Sequence, residues 1–103
     1  MAICHNKQYE NEFVKLMLSK GHYCLRVAGS GSGNEAVCDC VLFKEGRVFL
    51  VEVKATKFKK LILRKNIREQ LERMKETALK NNVNCLLAVK YKRKGWDIEE
   101  LIS

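Results

Sequence analysis

The chain has 103 residues, 47% of them hydrophobic and 31% charged, a profile that predicts one small globular domain over residues 1–103 and excludes a disordered chain. Its 20 Lys and Arg against 12 Asp and Glu leave a net charge of +8, the electrostatic footprint of a protein that meets a polyanion, either nucleic acid or an anionic membrane. No apolar run approaches the roughly 20 residues needed to cross a bilayer, and MAICHNKQYENEF lacks the apolar core of a signal peptide, so no membrane partner and a cytoplasmic location are expected.

In chain order, Phe13, Val14, Leu16, Met17 and Leu18 recur at helical spacing between Gln8 and Lys20, and Gly21 follows where a C-terminal cap belongs. HYCLRVA at 22–28 is rich in strand formers and runs into GSGSGN at 29–34, a flexible loop. AVCDCVLF and RVFLVEVK read as two strands joined at Lys44, Glu45 and Gly46, a hairpin. Beyond a basic stretch, Asn66 to about Asn81 places Ile67, Leu71, Met74 and Ala78 on one face of a second helix, with Asn66 as its cap. NCLLAVKYK at 84–92 predicts a buried strand, Gly95 breaks it, and Trp96 to Ile102 suits a final edge strand. The order α-β-β-β-α-β-β predicts an α/β domain whose mixed sheet is partly covered by helices.

Five cysteines, at 4, 24, 38, 40 and 85, form no C-x-x-C pair, so reduced thiols are expected. A zinc cluster of Cys38 and Cys40 with His22 and Cys24 is the weaker reading, because free Cys usually behaves as a small buried hydrophobe.

Charges placed where periodicity demands apolar residues mark the candidate site, since an unpaired buried ion is costly. Glu10 falls on the helix face of Phe13, Val14 and Met17, whereas Glu12 points away as a solvated charge. Asp39 interrupts a hydrophobic strand. In FLVEVK, Glu52 and Lys54 are two apart, share a face, and lie beside Asp39 if the hairpin pairs in simple register. Two carboxylates can hold a hard divalent cation such as Mg2+, and a nearby Lys can position a water and offset charge on a phosphate. An E-x-K pair alone is more often an exposed cross-strand ion pair; its conjunction with Asp39, Glu10 and a basic chain favours catalysis.

YENEFVKLM, RVAGSGS, CDCVLF, VEVKAT and LLAVKYKRKGW together resemble the PD-(D/E)XK nuclease superfamily, and within it the archaeal Holliday junction resolvases. That resemblance spans nearly the whole chain. It implies a restriction-endonuclease-like fold with a roughly five-stranded mixed sheet flanked by helices. It also implies Mg2+-dependent hydrolysis of four-way junction DNA, with Mn2+ as a substitute metal. The matching positions make Asp39 and Glu52 metal ligands, Glu10 an outer ligand through metal-bound water, and Lys54 the base that positions water. Arg26 and Ser30 would hold backbone phosphate. Two positions depart from the pattern: Cys38 stands where the superfamily has Pro, and Asn11 where many relatives have Arg, removing one expected phosphate contact.

GSGSG is no nucleotide-binding loop, because no G-K-[ST] follows and a strand, not a helix, comes next. No nucleotide cofactor is expected. The stretch holding Lys57, Lys59, Lys60 and Arg64 suits a surface that tracks phosphates, and its Phe58, Leu61, Ile62 and Leu63 could pack the core, hold a partner subunit or wedge at a branch point. Gln70 resembles a helix glutamine of some nuclease branches but reads in preference as a solvent-facing helix residue. A junction presents two equivalent strands, so a two-fold homodimer is expected. The competing readings are another superfamily nuclease, cutting duplex or flap DNA, and a basic DNA-binding module without catalysis.

Overall fold

The computed structural model describes residues 6–27 and 36–102. In chain order it contains α1 (Asn6–Ser19), β1 (Tyr23–Arg26), β2 (Cys40–Lys44), β3 (Arg47–Thr56), α2 (Lys65–Lys80), β4 (Asn84–Tyr91) and β5 (Gly95–Glu100). The five strands form one sheet in the order β1-β2-β3-β4-β5. Pairing is antiparallel except between β3 and β4, which run parallel because α2 carries the chain back between them.

The helices cover opposite faces of the sheet. Phe13 and Met17 of α1 pack with Cys24, Cys40, Leu42, Phe49, Val51, Val53, Leu86 and Ala88. Leu71, Met74 and Ala78 of α2 pack on the other face with Cys38, Cys85, Leu87 and Val89. Period-two alternation along β3 and β4 therefore feeds two separate apolar layers, and residues Cys85–Val89 are all buried because β4 is covered on both sides.

Local signals fix the element ends. The amide of Gly21, at φ +88, donates to Leu18 and that of His22 to Met17, a double bond that closes α1 as its glycine predicts. Lys44 pairs with Arg47, and the intervening Glu45 and Gly46 both take positive φ (53 and 77), as a two-residue type I′ turn requires.

Three expectations need correction, and one left open is decided for Leu61. The hairpin's first strand begins at Cys40, not at residue 36, so Asp39 stands at a bend before the strand and not within it. Asn66 does not cap α2: Arg64 holds the cap position without a side-chain hydrogen bond, and Asn66 Oδ1 accepts only from the next amide, Ile67. Glu12 is no free charge; it pairs with Lys90 Nζ at 2.8 Å, tying α1 to β4. Leu61 packs beneath α2, whereas Phe58, Ile62 and Leu63 are exposed.

Candidate active site

Asp39 sits where the β2–β3 ladder forks. Its amide donates to Val51 O at 2.8 Å, continuing the register Cys40↔Val51. The next rung is not made by backbone: Asp39 Oδ2 accepts the Val53 N–H at 2.9 Å, standing in for a main-chain carbonyl. Residues 36–38 are thereby freed from the ladder. The fork also explains why Cys38 and Cys40, both even-numbered, end on opposite sides of the sheet, and it leaves Asp39 able to face both layers.

Glu52 and Lys54 project from β3 toward the α2 side, between the inward residues Val51 and Val53 of the other layer. Glu52 is 6% exposed. Lys54 Nζ lies 3.1 Å from Glu52 Oε2 and donates at 3.1 Å to Gln70 Oε1 on α2. Burial, and next the adjacent Asp39 charge, push the Glu52 carboxyl up to about 7, against the pull of Lys54.

Glu10 reaches the fork from the α1 side. It is 3% exposed, and Arg26 Nε on β1 donates to its Oε1 at 3.1 Å. Burial raises its pKa, opposed by the Arg26 hydrogen bond and reinforced by Asp39. Asp39 is thus the neighbour that perturbs both glutamates. Among the described residues no three His, Cys, Asp or Glu side chains converge closely enough to enclose a metal ion. The arrangement is an open one: Asp39 and Glu52 adjoin, and Glu10 stands behind Asp39.

A small cleft opens over these groups, lined by Ala36–Asp39, Glu52, Gln70 and Arg73. Gln70 is therefore no solvent-facing residue, which corrects the reading from sequence. Its position at the edge of the α2 apolar stripe gave no signal, and only the likeness to a helix glutamine of some nuclease branches pointed to it; the crossover that lays α2 across β3 brings it to Lys54.

The structure brings together Asp39, Glu52 and Lys54 directly, and Glu10 through Asp39. Arg26 turns toward Glu10, while Lys57, Lys59, Lys60 and Arg64 are exposed on the segment that follows β3. Ser30 and the rest of the 29–34 loop lie outside the described residues. Cys24, Cys38, Cys40 and Cys85 are buried free thiols, divided between the two apolar layers, so the sheet separates Cys38 from Cys24 and Cys40.

A mixed sheet between two helices, with an acid-x-lysine strand beside a second carboxylate at a forked rung, defines the restriction-endonuclease-like class of nucleases. Residues 4–102 match the family model for the archaeal Holliday junction resolvase, Hjc. The chain belongs to that family, whose members are junction-cleaving endonucleases of DNA recombination and repair. It is similar to the solved Hjc of the archaeal hyperthermophile Archaeoglobus fulgidus, a Holliday junction resolvase, with a TM-score of 0.73 and 27% identity over 91% of this chain and 74% of that one.

Proposed function

We propose that this chain is a homodimeric, structure-selective endonuclease that makes paired symmetric nicks in four-way DNA junctions in the cytoplasm, using Mg2+ or, in its place, Mn2+. The observation that carries the reading is the forked rung, which sets Asp39 beside a buried Glu52 whose own strand presents Lys54. Two adjoining carboxylates that each disfavour the other's charge are a donor set that a divalent cation would relieve, and their oxygens suit a hard ion. Asp39 and Glu52 would hold the cation, with Glu10 acting on its water shell. A bound divalent cation supplies Lewis acidity toward a phosphate oxygen and acidifies water.

The remaining chemistry belongs to the chain's own groups. Lys54 places an ammonium at the cleft, where it orients the attacking water and offsets charge developing on the phosphate. Arg26, already bonded to Glu10 through Nε, keeps that glutamate oriented. With Ser30 it also stands as a candidate phosphate contact. Lys57, Lys59, Lys60 and Arg64 hold the flanking backbone without reading bases.

Linear duplex, flap and four-way junction DNA offered with Mg2+ test the assignment. The junction should be cut preferentially, and Glu52→Gln should lose at least about a hundredfold in cleavage while retaining binding. Preferential cutting of duplex or flap would reject junction selectivity, and a fully active E52Q would reject the metal site.

A further inference from the structure

The outer edge of α2 carries two polar side chains that the chemistry above leaves without a role. Gln70 and Arg73 are three residues apart and so lie on one helix face. Both line the cleft that contains Asp39 and Glu52, beside rather than within the buried stripe of Leu71, Met74 and Ala78.

Gln70 meets a specific need of Lys54. An ammonium has three N–H donors on a freely rotating head. Held by Glu52 alone, the head would have one fixed contact and its other donors no set direction. With Glu52 Oε2 and Gln70 Oε1 each at 3.1 Å from Nζ, the ammonium is held between β3 and α2 beside the cleft that both partners line, and one N–H remains uncommitted. Because the amide is neutral, it fixes the ammonium without cancelling the charge that makes Lys54 useful. A carboxylate at position 70 would also bond it, at the cost of a further negative charge beside two others.

Arg73 supplies the complementary half. Among the described residues it makes no ion pair, although it borders a cleft holding two carboxylates. Its guanidinium is exposed, and its planar fork suits a phosphate entering over Asp39 and Glu52.

We propose that Gln70 and Arg73 form the α2 wall of the active site: Gln70 is a positioning residue for Lys54, and Arg73 is a contact for the phosphate backbone at the cleft. The inference rests on the metal-site reading of Asp39 and Glu52, so E52Q is its reference. Steady-state cleavage of junction DNA with Mg2+ is measured for Q70L, Q70E, R73Q, K80Q and E52Q, and junction binding is measured from 50 to 200 mM salt. Gln70→Leu should lower kcat by about 10- to 100-fold, the usual scale for a group that orients another, with KM within about twofold. Gln70→Glu should recover most of that loss, because it restores an acceptor. Arg73→Gln should weaken binding and reduce the salt slope by about one phosphate contact. Lys80→Gln removes an equal charge at the far end of α2 and should leave cleavage unchanged.

Dead E52Q beside Q70L with wild-type kcat overturns the role of Gln70 alone, as does a Q70E variant no better than Q70L. An R73Q salt slope equal to wild type overturns the role of Arg73. Cleavage by E52Q overturns the metal-site reading and this inference together. Thermal melts of Q70L and R73Q that match the parent protein tie their losses to the cleft and not to folding.

Discussion

At the scale of single residues, the site is defined by what burial does to carboxylates. Glu52 titrates near 7 in the folded chain because it is buried beside Asp39, whereas in an unfolded chain it titrates near the ordinary value of about 4.3. The folded state therefore binds the proton more tightly. Its stabilising contribution is complete below about pH 4 and is lost as pH rises through 7. For this largely buried group the difference is on the order of a few kcal/mol. Glu10, also raised, acts in the same direction. In metal-free buffer, Glu52→Gln should stabilise the protein at pH 8 relative to the parent and make little difference at pH 4, read as the difference in melting temperature. Mg2+ should restore stability to the parent at pH 8, lose that effect as pH falls below about 7, and do little for E52Q. Equal Mg2+ shifts at pH 5 and pH 8 would contradict the coupling. Glu10, Glu52 and Lys54 were all legible in sequence, because each breaks a periodic apolar pattern. Asp39 was legible as an anomaly but not as a bend, since its hydrogen bond to the Val53 amide depends on strand pairing. Gln70 was legible only through the likeness to a helix glutamine of some nuclease branches and was read instead as solvent-facing, because a polar residue on a helix flank is unremarkable until a strand is laid under it.

At the scale of elements, the turns and helix ends obeyed local chemistry more faithfully than the strand limits did. Gly21 and Gly46 mark ends that the sequence could place, because positive φ has few other tenants. Gly46→Ala puts a Cβ at φ +77 and should cost about 1 kcal/mol in urea unfolding, a few degrees in Tm. The start of α2 is the contrary case. Stability favours Ser, Asp or Asn at a helix cap, yet Arg64 stands there with no capping bond. Arg64→Asp should add about 1 kcal/mol of stability and weaken junction binding, most visibly at low salt. A variant that gains stability with unchanged binding would remove Arg64 from the DNA surface. The stretch 57–64 was unreadable as structure, since its alternation of cations and apolar residues serves neither a helix face nor a strand; only Leu61 of its apolar members is drawn into the α2 layer.

At the scale of the whole molecule, charge and size set the terms of binding. A net charge of +8 on 103 residues predicts that the logarithm of junction affinity falls steeply and linearly with the logarithm of salt. The radius of gyration is 12.9 Å, and the described residues place Asp39, Glu52 and Lys54 together once, so the proposed paired nicks call for two copies. Sedimentation should find a dimer at cleavage-competent concentrations, and mixing parent with excess E52Q should convert paired cuts into single nicks. Unaffected paired cutting in the mixture would argue that one subunit suffices. The overall α/β order and the two-sided sheet followed from periodicity in β3, β4 and the helices. The division of the cysteines between two layers did not, because it turns on the single fork at Asp39.

That fork also fixes how many oxygens the aspartate can offer. Oδ2 already accepts the Val53 N–H, so in the proposed metal role Asp39 would offer its other oxygen more freely, as a monodentate ligand. A large ion that seeks six to eight oxygens and chelating carboxylates would compete with that rung for Oδ2, whereas a small octahedral ion that keeps its waters would not. If Asp39 holds the cation as proposed, the backbone pairing of a hairpin would favour the smaller ion.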